Sequence, residues 1–258
     1  MSDFDGKGVH IECVETPEVT QPVMIEGLPG VGYVGKLAVQ HLLAERDQTL
    51  VRRIYSEHLP PRVTIDDRGV GALASVDIYH VPTETVDLLL VDGDQQAQTA
   101  VGYYRLTEAI LEVAESFGVG RVYPLGGVPT GELMESYAII GAVSEEALIE
   151  PLEAEGVEFR DNQPAGGVVG ISGLLLGLGA RRSIEVACLM GETSGYLVDP
   201  NSARAVLAVL EGLLGFAIDD SELEERAEQM EGVVKRLEQL QDQPAEVSAP
   251  EESLRYID

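Results

Sequence analysis

Chemistry in this chain would have to come from few residues. Gly30, Gly32, Gly35 and Lys36 stand in "MIEGLPGVGYVGKLAVQHLLAE", Met24 to Glu45, where an apolar run meets a glycine-rich turn and then a helical pattern. Gly30, Gly32 and Gly35 have the G-x-G-x-x-G spacing that brings backbone close to a pyrophosphate at a helix N-terminus. Gly30 to Lys36 has the G-x-x-x-x-G-K spacing of a P-loop. Each reading fails at named residues. Pro29 ends strand pairing ahead of the glycines, and Glu57 is the only nearby acid for a ribose. Leu37 stands where a P-loop places the Ser or Thr hydroxyl that holds magnesium. In the structural alternative, the glycines let a helix N-terminus pack tightly under a sheet edge.

Asp92 and Asp94 follow "LLLV". Alternate residues of an extended chain point the same way, so the pair could bind magnesium or share a proton, or simply solvate a turn. Neither Ser172 in "GISGL" nor Ser194 in "ETSGY" completes the G-x-S-x-G elbow of a hydrolase. His10, His41, His58 and His80 lack the H-x-x-x-H spacing of a zinc helix and have no cysteine neighbour. Cys13 and Cys188 lie far apart in apolar contexts and read as small core residues. Arg181 and Arg182 fit an anion or a helix C-terminal macrodipole equally well. The residues therefore predict no metal, no cofactor and no catalytic group. They leave a candidate crevice of Gly30, Gly32, Gly35, Asp92 and Asp94.

The elements that must position these residues follow from periodicity. Strand-like runs "VHIECVE", "VMIEGL", "LVRRIYS", "ALASVDIYHV", "VDLLLVDGD", "RVYPLGG", "YAIIGAV" and "SIEVACLMG" alternate with helical patterns near 31–44, 99–117, 145–155 and 201–215, with a glycine-rich segment at 166–179. Short, wholly apolar strands are buried on both faces. The pattern predicts a three-layer α/β/α sandwich with a mostly parallel sheet over residues 1–218. The loops "VDGDQQ", "PLGGVPTGE" and "CLMGETSGY" end strands where such sheets bind ligands, or are tight turns.

Beyond the core, Leu223, Ala227, Met230, Val234 and Leu237 recur at spacings of four and three. They predict an amphipathic helix over 219–241 whose seam packs on the body or on another copy. Residues 242–258 form a polar, proline-containing tail expected to be disordered, ending in "LRYID".

Composition narrows the partners. Forty-five acidic against 17 basic residues give the 258-residue chain a net charge of -28, with only three lysines. Such a surface repels nucleic acid and anionic lipid, and its self-repulsion is relieved by molar salt, where the Debye length is about 3 Å. A halophilic cytoplasm suits it. The start has no basic segment or apolar h-region, and no run approaches the roughly 20 apolar residues of a membrane helix. A cytoplasmic location is expected.

"GLPGVGYVGKLAVQHLL", "PLGGVPTGE", "GISGLLLGLGA" and "LMGETSGYLVDPNSARAVLAVLEGLLG", followed by the acidic helix, resemble the archaeal branch of the proteasome assembly chaperone family, in a haloarchaeal-type version. The resemblance covers about residues 9–240. It implies a nucleoside phosphorylase-like three-layer fold, a small homo-oligomer, and ATP-independent, non-enzymatic action on proteasome α subunits. It also implies a C-terminal tail of the pattern hydrophobic, tyrosine, any residue, which docks between α subunits. Here Tyr256 is third from the end and Ile257 penultimate, one place displaced. Leu254, Tyr256, Ile257 and Asp258 are the partner-binding residues so implied. The competing expectation is a ligase or transferase acting on a nucleoside or small acid in the strand-end crevice.

Overall fold

A computed structural model describes residues 6, 8–134, 136–161, 164 and 166–230. The strands are β1 (Val9–Cys13), β2 (Val23–Glu26), β3 (Thr49–Ser56), β4 (Val63–Ile65), β5 (Gly71–Leu73), β6 (Val76–Pro82), β7 (Asp87–Gly93), β8 (Arg121–Pro129), β9 (Ile139–Val143), β10 (Val157–Glu158) and β11 (Glu185–Thr193). The helices are α1 (Val34–Glu45), α2 (Ala100–Ser116), α3 (Ile149–Ala154), α4 (Gly170–Ala180) and α5 (Pro200–Leu214). Residues 221–230 are also helical. Met230 closes that stretch. Val234, Leu237, Leu254, Tyr256, Ile257 and Asp258 lie outside the described residues.

Nine strands form one sheet in the order β1-β3-β6-β7-β2-β8-β11-β9-β10. Its centre, β7-β2-β8-β11, is parallel. β2 and β7 there are almost wholly buried, as their unbroken apolar runs require. The flanks are antiparallel, β1 with β3, β3 with β6, β6 with β7, and β9 with β11, except that the edge strand β10 runs parallel to β9. The expected sandwich with its parallel core is present, and the antiparallel ribbons extend it. The run "ALASVDIYHV" is not one strand. It divides into the end of β5 and most of β6, because β5 pairs with β4 in a separate hairpin.

One face of the sheet carries α1, α3 and α5, and the other carries α2 and α4, each over its own apolar core. Local signals start and stop the helices. Thr99 Oγ1 accepts from the Gly102 amide at 3.1 Å ahead of α2. Asp199 Oδ1 accepts from the Ser202 amide at 3.0 Å ahead of α5, where Pro200 occupies the first turn. Such caps contribute about 1 kcal/mol each. Gly215, at φ +70, ends α5 in the left-handed region. The glycine-rich segment contains α4, and Gly173 and Gly179 let that helix approach Val168 and Val186 closer than any side chain would permit.

The helical residues 221–230 are clamped to α1 at their start. The His41 Nε2–H donates to the Asp219 carbonyl at 2.8 Å, and Glu45 Oε1 accepts from the Asp219 amide at 3.0 Å. Leu223 and Ala227 are buried, Leu223 in the α1/α5 core, whereas Met230 is half-buried.

Candidate functional site

The glycine turn between β2 and α1 is a packing device. A Cβ at Gly35 would collide with the Leu125 carbonyl of β8, one at Gly27 with the Gly35 carbonyl and Val39, and one at Gly32 with Thr193. Gly32 (φ +62) and Tyr33 (φ +55) are both left-handed, which only glycine adopts without strain. The turn is pinned by the Asp199 amide donating to the Gly32 carbonyl at 2.9 Å. The P-loop-like lysine points inward. Lys36 is buried, and its ammonium donates to Asp92 Oδ1 at 2.8 Å, the Gly93 carbonyl at 2.9 Å and Asp94 Oδ1 at 2.9 Å. All three donors are used, so none is left for a phosphate. Burial holds Asp92 above the usual carboxylate value in spite of the pull of Lys36.

The turn separates two clefts. The first, about 790 Å³, opens at the carboxyl ends of β2 and β8 between the first turns of α2 and α4. Its walls include Leu28, Gly30, Val31, Tyr103, Tyr104, Val168, Val169 and Met190. No charged side chain is among its described lining residues. Ser172 is also in the wall, and behind it lies Glu26, the last residue of β2. Glu26 Oε2 accepts from Ser172 Oγ at 2.8 Å, and Oε1 accepts from the Leu28 amide at 2.9 Å. At 1% exposure, burial raises the Glu26 carboxyl to about 7, against the opposing pull of both hydrogen bonds. A carboxyl tuned to neutrality can serve as a base, but both oxygens of this one are occupied by protein donors and it does not reach the cleft.

The second cleft, about 780 Å³, lies under the β4–β5 hairpin and holds Asp92 and Asp94. At its floor Arg53 binds Asp77 through two parallel hydrogen bonds of 2.9 and 2.7 Å. Ser75 and Tyr79 also donate to Asp77, at 2.8 and 3.3 Å. Burial, with Asp77 close by, raises the Tyr79 phenol to about 12. This network is internally satisfied.

The structure therefore divides the sequence-expected crevice. Gly30 lines the first cleft, Asp92 and Asp94 the second, and Gly32 and Gly35 pack between them. Sequence reasoning missed Glu26 and its Ser172 partner. The available signal was a lone acid ending a strand otherwise wholly apolar, "VMIE". Among the described residues no group of three His, Cys, Asp or Glu is placed to hold a metal ion. Nor is any described helix long and apolar enough to cross a membrane.

A three-layer sandwich whose parallel centre opens an uncharged cleft at its carboxyl edge is the class of protein this arrangement defines. Residues 24–238 match the model of the PAC2 family, and the chain belongs to that family. An uncharacterized protein of Methanocaldococcus jannaschii is 36% identical over 91% of this chain and 92% of its own length. Among solved structures, PbaB of Pyrococcus furiosus, an archaeal proteasome activator, is 33% identical with a TM-score of 0.85, covering 90% of this chain and 99% of that one. PbaA of the same organism, an archaeal homolog of proteasome-assembly chaperone, is 26% identical with a TM-score of 0.72, covering 90% of this chain and 92% of that one.

Proposed function

We propose that this PAC2 protein is a proteasome-associated binding protein: an assembly chaperone or adaptor that engages α subunits as a homo-oligomer, without nucleotide chemistry, in a halophilic cytoplasm. The observation that carries this reading is the likeness to PbaB over nearly the whole of both chains. The engagement of Lys36 supports the absence of nucleotide chemistry, since its ammonium is spent on Asp92, Asp94 and a carbonyl. The contact with α subunits is assigned to Leu254, Tyr256, Ile257 and Asp258. A polar linker of about thirteen residues ahead of them would, as a flexible chain, reach on the order of 20 Å, and several copies on one oligomer would add avidity.

The test is co-sedimentation of the full chain with purified archaeal α-subunit rings in about 1 M KCl, where the acidic surface is screened. Wild type should travel with the rings, and Tyr256→Ala should not, while its own sedimentation is unchanged. Wild type that stays apart from the rings sinks the reading. Binding that survives Tyr256→Ala moves the contact to the body. Parallel assays of peptide hydrolysis by the assembled core particle and of ring formation from free α subunits separate an activator from an assembly chaperone.

A further inference from the structure

Among the described residues, exposed large apolar side chains are not scattered. All but Val14 lie at the carboxyl edge of the parallel strands: in the segments that follow β2, β3, β7, β8 and β11, and at the start of α4. β3 and β7 both run antiparallel to β6, so the β4–β5 hairpin, which follows β3, rises from the same edge that opens into the uncharged cleft. One edge thus carries a convex apolar element beside a concave one.

The hairpin presents an uncovered apolar face. Its register places Val63 opposite Leu73 and Ile65 opposite Gly71, which puts these side chains on one face. Val63, Ile65 and Leu73 are 50%, 65% and 60% exposed. A lone two-stranded hairpin is marginally stable in water, and three aliphatic side chains left in solvent contribute nothing to holding it. The cleft carries Val31, Tyr104 and Val169 on its rim, at 37%, 51% and 80% exposure. Apolar patches of this kind on a soluble chain mark an interaction surface.

We propose that the occupant is a second copy of this chain, joined by a two-fold axis so that the hairpin face of each copy covers the cleft of the other. Charge restricts two copies to meeting where neither carries acid, and the apolar character of this edge selects the occupant. Two copies of net charge -28 repel wherever acidic surface meets acidic surface, and the described lining of the cleft offers no charged side chain to draw in a charged ligand. What fits is an apolar, convex element, and the same edge of another copy supplies one. A two-fold contact is self-complementary, so one arrangement buries both features of both copies. The proposal rests on the self-association part of the proposed function and is independent of any proteasome partner.

Sedimentation velocity of the full chain in about 1 M KCl tests it, with circular dichroism to confirm folding of each variant. Wild type should sediment as a dimer or larger. Ile65→Asp and Val169→Arg should each weaken self-association at least about 100-fold, by placing an unpaired charge in an apolar contact. An equimolar mixture of the two should assemble where neither does alone, because one half of the contact is then native and the other brings opposite charges together. Monomeric wild type overturns both the self-association reading and this interface. Oligomeric wild type unmoved by either substitution overturns the interface alone. Loss in both single variants without recovery in the mixture overturns the hairpin-to-cleft pairing, and loss confined to one variant overturns it as well, in favour of hairpin meeting hairpin if only Ile65→Asp acts.

Discussion

Lys36 Nζ lies 2.8 Å from Asp92 Oδ1, an ion pair between the first turn of α1 and the end of β7. Both strands that frame this contact, β2 and β7, lie in the parallel centre of the sheet, so the pair ties the glycine turn to the core. Of the two acids, Asp94 has a side chain 71% exposed and Asp92 one only 19% exposed. Water can take over the charge of Asp94 but not readily that of Asp92.

Lys36→Met should therefore destabilise the fold by about 3 kcal/mol, the scale for leaving a mostly buried carboxylate without its partner. Urea unfolding in high salt is the measurement. Adding Asp92→Asn should recover part of the loss, because the orphaned charge is gone. Titration with Mg-ATP should give no heat of binding. Micromolar binding that Lys36→Met abolishes would show that the ammonium can leave the aspartates for a phosphate.

Glu26 makes stability depend on pH. Its carboxyl ionises near 4.5 in the unfolded chain and at about 7 in the fold, so the folded state binds the extra proton between those values. The contribution of the group is most favourable below pH 4.5, declines as pH rises from 4.5 to 7, and stays lost above that. At 1.36 kcal/mol per pKa unit, the decline is about 3 kcal/mol. Glu26→Gln keeps an acceptor for the Leu28 amide and carries no charge. The difference in stability between variant and wild type should grow in favour of the variant through this window and level off above pH 7. A difference independent of pH from 4.5 to 8 would mean that Glu26 is ionised throughout.

The legible part of the fold was the part whose pattern is set by burial. Apolar runs such as "VDLLLVDGD" and "RVYPLGG" mark strands because they are covered on both faces, and α2 and α5 show in the helical periodicity of 99–117 and 201–215. Leu37 and Pro29 argue against two nucleotide sites by type and position alone. What periodicity could not carry was pairing across the chain. Strand direction at the flanks, the separation of β5 from β6, and the inward turn of Lys36 depend on residues far apart in sequence. The hairpin illustrates the limit: "VTIDDRGVGAL" has apolar residues at both ends and a turn between, but nothing in it says that the strands stand clear of the main sheet. Glu26 was hidden for the same reason, since the burial that raises its carboxyl cannot be read from "VMIE" and its partner Ser172 lies far away in α4.

The seam of the C-terminal helix tests how far local spacing translates into energy. Leu223, Ala227 and Met230 share a helical face, but their surroundings differ: Leu223 is 1% exposed in the α1/α5 core, and Met230 lies half-buried near the end of the described helix. The His41 and Glu45 contacts to Asp219 fix where the helix begins, so Leu223 cannot slide to relieve a cavity. Leu223→Ala should then cost about 2–5 kcal/mol, the range for a large buried side chain reduced to a methyl group. Met230→Ala should cost clearly less, because it removes less area from cover. Urea denaturation of both variants at one protein concentration decides the matter. Equal losses would mean that Met230 is covered by something beyond its own chain, and a negligible effect of Leu223→Ala would mean that the helix is not held on the body.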